Sequence, residues 1–290
     1  MQVISRHIRA RLVAAVAAAS VLLGAGSAFA GLGQPSEWEI GPQQAATPVM
    51  ENIIAFHDLL LWIISGIVVF VLILLLIVMF RFNARANPTP SRTTHNTLLE
   101  VLWTVIPVAI LVVIAIPSFR LLFFQLNTPQ ADLTVKATGK QWYWTYDYPD
   151  NGKFEFDSVM LKDDALKPGQ PRLLSVDNEM VVPVNKVVRV QVIGADVIHS
   201  FAVPSFGIKI DAIPGRLNET WFKATREGMY YGQCSELCGR NHAFMPIAVR
   251  VVNDQAFAAW VDEAKKKFAA TDEPATADGN KLAAVAADGR

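Results

Sequence analysis

The chain has 290 residues, 52% of them hydrophobic and 18% charged, and its 26 basic and 26 acidic side chains give a formal net charge of zero. This balance gives no bulk basic signal for nucleic-acid binding, and two cysteines are too few for a disulfide scaffold. The length allows one or two domains, and the hydrophobic excess lies in the first 125 residues.

The first 30 residues have the pattern of a secretory signal peptide. Three arginines between positions 6 and 11 precede an apolar segment, and Ala28-Phe-Ala30 fits a small-residue cleavage site. A retained membrane anchor is the alternative. Residues 31–57 follow as an external N-terminal segment, rich in Gly, Pro and Gln.

Two long apolar stretches predict a transmembrane helical hairpin over residues 58–125. Leu59 to Phe80 contains no charge in 22 residues, or about 33 Å of helix, against a bilayer core of about 30 Å. The linker from Arg81 to Thr97 carries three arginines, which the positive-inside rule assigns to the cytoplasm. Leu98 to Phe124 forms the second span, so we expect both termini of the chain on the outer side.

Beyond residue 125 the pattern changes from long apolar spans to short strands. Period-two alternation is present at Ala131–Thr138, Val187–Val192 and Ile247–Val252, and Pro-Gly pairs punctuate the segments between them. This pattern predicts an antiparallel β-sandwich or barrel within a domain over residues 126–268.

The end of the chain predicts a helix and a tail. Asn253 can cap a helix that runs to about Phe268 and packs one apolar face, including Trp260, on the domain. Residues 269–290 are rich in Ala, Asp and Gly and are predicted to be disordered.

A dense group of metal-binding side chains lies in Cys234-Ser-Glu-Leu-Cys238-Gly-Arg-Asn-His242-Ala-Phe-Met245, with His199 upstream. Thiolate, thioether and imidazole together favour copper over magnesium or calcium, and methionine is a poor ligand for zinc. A mononuclear blue-copper site needs two His, one Cys and one Met, so the extra cysteine suggests a second metal. A disulfide is the alternative for two cysteines in an exported domain, but His242 and Met245 at this spacing argue against it.

These residues resemble the CuA centre of subunit II of haem-copper cytochrome c oxidases. Three further stretches look like that family, in the right order: Gln141-Trp-Tyr-Trp-Thr-Tyr146, His199-Ser-Phe-Ala-Val-Pro-Ser-Phe-Gly207 and Asp211-Ala-Ile-Pro-Gly-Arg-Leu-Asn218. The resemblance extends from about residue 50 to residue 260. It implies a two-helix transmembrane hairpin followed by an all-β cupredoxin-like Greek-key sandwich or barrel.

The resemblance also implies the metal ligands. The binuclear CuA centre, with two copper ions, would be held by His199, Cys234, Cys238, His242, Met245 and the backbone carbonyl of Glu236. The Glu236 side chain would reach a magnesium or manganese ion at the boundary with subunit I, as hard oxygen ligands suit that ion; a solvated loop glutamate is the alternative. Cytochrome c would give electrons one at a time, and haem in subunit I would receive them and reduce oxygen to water with proton pumping.

Five residues receive further roles from the resemblance. Trp142 would be an exposed residue near copper through which electrons enter, and Glu100 would mark the mouth of a proton channel into subunit I. An interfacial anchor is the alternative for Glu100. Asp147, Asp150 and Asp196 match family positions that dock the lysines of cytochrome c, and solubilising surface charges are the alternative for them.

Three other functions stay open from the sequence. A quinol oxidase subunit II would share the fold but lack the copper ligands, whereas a membrane-tethered copper carrier or assembly factor needs an exchangeable metal. A disulfide-bonded binding domain on a membrane hairpin is the third. The expected location is a bacterial inner membrane with the copper domain in the periplasm, and the expected partners are subunits I and III, cytochrome c and the lipid bilayer, without nucleic acid.

Overall fold

The computed structural model describes residues 33–152 and 154–268, so the predicted signal peptide and the predicted tail lie outside the described residues. The described helices are α1 (Pro48–Arg81), α2 (Thr97–Leu126) and α3 (Asp254–Phe268). The described strands are β1 (Leu133–Lys140), β2 (Tyr143–Tyr148), β3 (Phe154–Ser158), β4 (Met180–Pro183), β5 (Val188–Gly194), β6 (His199–Val203), β7 (Ile208–Ala212), β8 (Asn218–Phe222), β9 (Gly228–Cys234) and β10 (Pro246–Val252).

Helices α1 and α2 are long and apolar enough to cross a bilayer, with mean hydropathies of 3.4 and 2.6 over 18 residues. Helix α1 begins at Pro48, earlier than the predicted start of the span at Leu59. The cause is local, because the Thr47 hydroxyl accepts a hydrogen bond from the Met50 N–H at 3.1 Å and proline suits the first helical turn. Helix α2 begins at Thr97, one residue before the predicted span, with the Asn96 side chain accepting from the Leu99 N–H.

Both outer ends of the hairpin are attached to the β-domain. At the start of α1, the Thr47 hydroxyl donates to the Phe206 carbonyl at 2.7 Å. At the end of α2, the Trp221 indole N–H donates to the Gln125 carbonyl at 3.1 Å, and its ring meets Phe124 edge-on with centroids 5.4 Å apart. These contacts hold the two helix ends on the same side of the β-domain. They fix the position of the β-domain relative to the hairpin.

The β-domain consists of two five-stranded sheets, ordered β3-β2-β1-β5-β8 and β4-β10-β9-β6-β7. The two-helix hairpin followed by an all-β cupredoxin-like sandwich is confirmed. The prediction of an antiparallel sandwich holds for most strand pairs but not for all, because β1 pairs in parallel with β5, and β4 with β10. Both parallel pairs join strands that are distant in the chain, and no hairpin turn dictates their direction.

The core lies between the two sheets and extends to the base of the metal-binding loop. Trp144 of β2 is fully buried and packs edge-on against Phe201 of β6, with ring centroids 5.3 Å apart. Its indole N–H faces the Met245 carbonyl at 3.4 Å. At the other end of β2, Tyr148 contacts Trp260 of α3 at a centroid distance of 5.1 Å. The sandwich therefore supports the loop from below with large, fixed aromatic rings.

Candidate metal centre

The predicted metal ligands meet at one end of the second sheet. Strand β9 ends at Cys234, the loop 235–245 follows, and β10 begins at Pro246. His199 is the first residue of β6, which pairs with β9 so that Phe201 lies opposite Cys234. This register brings the upstream histidine to the loop although 35 residues separate it from Cys234.

The side chains form a compact cage of sulfur and nitrogen atoms. The two Sγ atoms of Cys234 and Cys238 lie 3.9 Å apart, much farther than the ~2.05 Å of a disulfide, and both cysteines are free. His199 Nδ1 lies 3.9 Å from Cys234 Sγ, and His242 Nδ1 lies 3.6 Å from Cys238 Sγ. The Met245 Sδ is 3.5 Å from Cys238 Sγ. Each cysteine thus has its own imidazole, as a two-metal arrangement requires.

The donor set and its surroundings fit copper. The ligand atoms of His199, Cys234 and Cys238 lie within 4.8 Å of one another. Two sulfurs at this separation can both approach one ion to about 2.3 Å. The Glu236 carbonyl oxygen is 3.3 Å from Cys234 Sγ and adds an oxygen donor. Met245 is 1% exposed and neither cysteine exceeds 5%, so the cage is soft in its donors and shielded from water.

Asp196 contacts a candidate metal ligand directly, which a residue that only docks a protein partner does not need to do. Its Oδ1 lies 2.8 Å from His199 Nε2 and accepts from the Val197 N–H, while Oδ2 accepts from the Gln141 N–H at 2.7 Å. A carboxylate on Nε2 turns the other ring nitrogen, Nδ1, toward Cys234. Asp196 therefore orients a candidate ligand, a role that its sequence position alone did not reveal.

The two thiols differ in acidity. Burial raises the pKa of Cys234, but its contacts with His199 and with backbone groups of Glu236 and Ser200 outweigh burial and bring the value to about 7. Burial and the neighbouring Cys234 raise the pKa of Cys238 to about 12. Burial lowers the pKa of His199, but Cys234 and Asp196 raise it overall. A metal that binds both sulfurs must therefore displace a proton from Cys238.

Two neighbouring side chains hold the middle of the loop. The Gln141 amide donates to the Cys238 carbonyl at 2.8 Å, and the Trp142 indole N–H donates to the same oxygen at 3.2 Å. Trp142 is half-buried, less exposed than expected, because this bond draws its polar edge onto the loop. Sequence reasoning missed Gln141, although its place directly before Trp142 in the aromatic stretch was a usable signal.

Gly139, near the end of β1, leaves room for a candidate ligand. A Cβ atom on Gly139 would lie 2.9 to 3.0 Å from three atoms of His199, closer than packed carbon atoms approach. The absence of a side chain at Gly139 therefore allows the His199 imidazole to lie directly on the sheet.

The other predicted site residues lie away from the cage. Asp147 is on β2, five positions after Trp142, or about 16 Å along the strand. Asp150 follows the far end of β2, where its carboxylate accepts from the Thr134 N–H at 2.8 Å. Glu100 is in the first turn of α2, about 39 Å of helix from the outer end of that helix. The structure thus brings together the candidate copper ligands and Trp142, but not these three acids.

Comparisons with known proteins agree with this arrangement. The family model described as the cytochrome c oxidase subunit II periplasmic domain matches residues 133–252, and the model for its transmembrane domain matches residues 35–121. A Rickettsia bellii (strain RML369-C) protein named "Probable cytochrome c oxidase subunit 2" is 54% identical over 258 residues, which cover 89% of this chain and 94% of the relative. The Cereibacter sphaeroides cytochrome c oxidase subunit 2 is 46% identical, covering 81% and 83% respectively.

A solved structure of a periplasmic domain is similar in sequence to about half of this chain. It is the periplasmic domain of subunit II of cytochrome oxidase from Bradyrhizobium japonicum, which is 75% identical and covers 49% of this chain and 99% of its own, with a TM-score of 0.47. The two family models and the full-length relatives confirm the resemblance found in the sequence. The chain belongs to the cytochrome c oxidase subunit II family, whose members are subunits of a haem-copper oxidoreductase complex.

Proposed function

We propose that this chain accepts electrons one at a time from cytochrome c at a binuclear CuA centre and delivers them to haem in subunit I. Oxygen would be reduced to water there, with proton pumping. The observation that carries the proposal is the cage itself, in which two unjoined sulfurs lie 3.9 Å apart and each faces an imidazole nitrogen. When bound, a copper pair in this cage supplies one-electron redox chemistry.

The protein's contribution is a rigid ligand frame. His199 is fixed by strand β6 and by Asp196, and the Cys238 carbonyl is held by Gln141 and Trp142. Met245 is fixed from below by the fully buried Trp144. A frame that hardly moves between oxidation states lowers the cost of reorganisation, which favours rapid electron transfer.

Trp142 is the proposed point at which electrons enter. Its indole N–H bonds the carbonyl of a proposed copper ligand, Cys238, at 3.2 Å. The exposed side chains of Leu237 and Phe244 lie on the same loop and offer an apolar centre for a docking partner. Asp147 is about 16 Å along β2 from Trp142, within the width of an ordinary interface. Asp147 and Asp150 are proposed as acids that attract the basic donor.

Two further sites are proposed on the side of subunit I. The exposed Glu236 carboxylate would bind a magnesium or manganese ion, because its carbonyl faces Cys234 and leaves the side chain free to point elsewhere. Glu100 would admit protons at the opposite end of the hairpin, and an ionisable residue near the end of a span is a functional candidate. Subunit III would complete the membrane core of the complex.

The same proposal fixes the orientation of the chain. The arginine-bearing linker between α1 and α2 would be cytoplasmic, and the β-domain would lie in the periplasm of a bacterial inner membrane. Both termini would then be periplasmic. The contacts of Thr47 and Trp221 with the domain and the hairpin support this arrangement, because they join both outer helix ends to the β-domain.

A copper carrier is the weaker alternative. A carrier needs ligands that a partner can reach, whereas His199 and Met245 are at most 1% exposed and both cysteines are buried. Metal analysis of the full-length protein separates the two functions. An electron-transfer centre predicts two coppers per chain that survive dialysis against a moderate chelator, whereas a carrier predicts one copper that the chelator removes.

A further inference from the structure

The surface around Trp142 carries two basic side chains. Lys140 lies two residues before Trp142 in the chain. Arg240 lies near Trp142 in space, because the preceding Gly239 is packed so closely on the indole that a Cβ there would lie 3.0 Å from Trp142 Cζ2. Consecutive Cα atoms are about 3.8 Å apart, which places the Arg240 Cα within about 9 Å of the ring. The proposed point of electron entry is therefore bordered by cations.

The two cations differ in how far the protein balances them. Lys140 Nζ lies 3.9 Å from Asp157 Oδ1 and 5.3 Å from the centroid of the Tyr143 ring, so its charge is already partly engaged. Arg240 is exposed, and no carboxylate in the described part of the chain lies within 4 Å of its guanidinium nitrogens. The charge of Arg240 is therefore left for a docking partner or for water.

The nearby acids do not take up the charge of Arg240. The Asp196 carboxylate contacts His199 Nε2 at 2.8 Å, so its negative charge belongs to the cage. Asp147 lies about 16 Å along β2 from Trp142. Glu236 is on the same loop as Arg240, but its carboxylate is proposed to face subunit I. The surface therefore has a free positive charge beside Trp142 and its proposed docking acids farther away.

We propose that Arg240 selects and orients the electron donor through a surface carboxylate of that donor. This inference rests on the proposed function and adds the charge pattern of the partner. A carboxylate opposite Arg240 is attracted and matches the planar guanidinium, whereas a lysine at the same place is repelled, which disfavours the wrong partner and the wrong orientation. Basic groups of the same donor lie toward Asp147. The donor is a c-type cytochrome that carries both signs of charge around its haem edge.

Electron transfer from two donors of opposite charge tests the proposal. The whole oxidase complex is mixed at low ionic strength with a strongly basic or an acidic reduced c-type cytochrome, and the oxidation rate of the cytochrome is measured by stopped flow. Two unit charges about 7 Å apart in water change an association constant about three-fold. Arg240→Gln should therefore raise the rate with the basic donor about three-fold and lower the rate with the acidic donor about three-fold. Arg240→Lys keeps the charge and should change neither rate.

The ratio of the two rates does not depend on how much active complex a variant contains, so an assembly defect does not affect the test. The basic-to-acidic ratio should rise about nine-fold in Arg240→Gln and return toward the unmodified value at high ionic strength. The control is Lys266→Gln, the same loss of charge on α3, which packs at the other end of β2; its ratio should not change.

Two kinds of failure are distinguishable. An unchanged or lower ratio in Arg240→Gln, or an equal rise in Lys266→Gln, would overturn the role of Arg240 while leaving the proposed function intact. If the unmodified complex oxidises neither donor, the proposed function fails and this inference fails with it.

Discussion

Substitution of Asp196 by asparagine separates two roles that this residue could have. As an orienting residue, Asp196 holds His199 through Nε2, and it also accepts from the Gln141 and Val197 N–H groups. Asparagine has nearly the same shape but only one acceptor oxygen. If that oxygen stays on His199 and Val197, the new NH₂ group faces the Gln141 N–H, and one hydrogen bond is lost.

The size of the effect follows from that lost bond. A hydrogen bond to a charged acceptor contributes about 1.5–3 kcal/mol, and partners that orient a metal-bound histidine typically affect metal affinity by about 10- to 100-fold. Asp196→Asn should therefore weaken copper binding by about 10- to 100-fold. The measurement is copper competition against a chelator of known affinity, with the full-length protein in detergent.

Asp147→Asn is the matched control, because Asp147 lies about 16 Å along β2 from Trp142 and makes no contact with the cage. It should bind copper as the unmodified protein does. The orienting role is refuted if Asp196→Asn keeps copper affinity within two-fold while its association with cytochrome c slows and loses salt dependence. That result would leave Asp196 as a docking acid alone.

Three more predictions follow from other parts of the molecule. Gly139→Ala should lower copper affinity, because its Cβ would meet the His199 ring at 2.9 to 3.0 Å and overpacking costs about 1–3 kcal/mol; Gly41→Ala, with open space around it, should not. Trp221→Phe keeps an aromatic ring but removes the buried indole and its bond to the Gln125 carbonyl, so the free energy of unfolding should fall by at least about 1 kcal/mol; an unchanged denaturation midpoint would contradict this. Asp147→Asn with Asp150→Asn should slow association with cytochrome c at low ionic strength in stopped-flow experiments, with unchanged rates as the contrary result.

The features that could be predicted from the sequence are those in which residue type alone carries the chemistry. A long stretch without charged residues, such as Leu59–Phe80, is typical of a membrane-spanning helix. Two thiols, an imidazole and a thioether in the twelve residues that end at Met245 have few uses other than soft-metal binding. Alternation in β5 also identified its buried valines correctly. In each case the pattern lies in neighbouring residues of the chain. Its interpretation therefore does not depend on contacts between distant segments.

The features that could not be predicted depend on contacts between distant segments. The orienting role of Asp196 arises because its carboxylate reaches Gln141, 55 residues earlier in the chain. The attachment of the start of α1 to the β-domain depends on the Thr47 hydroxyl meeting the Phe206 carbonyl, 159 residues away. The parallel pairing of β1 with β5 depends on how the sheets close. Periodicity describes one segment at a time and contains no information about such partners.

We propose that Cys234 and Cys238 hold two copper ions as one redox unit. The most direct test is metal analysis of the full-length, copper-loaded protein together with electron paramagnetic resonance and a thiol count after denaturation. We expect two coppers per chain, a multiline mixed-valence signal, and two thiols that become alkylated. One copper per chain with a single-copper signal, or a bond between the two sulfurs in the copper-loaded protein, would contradict it.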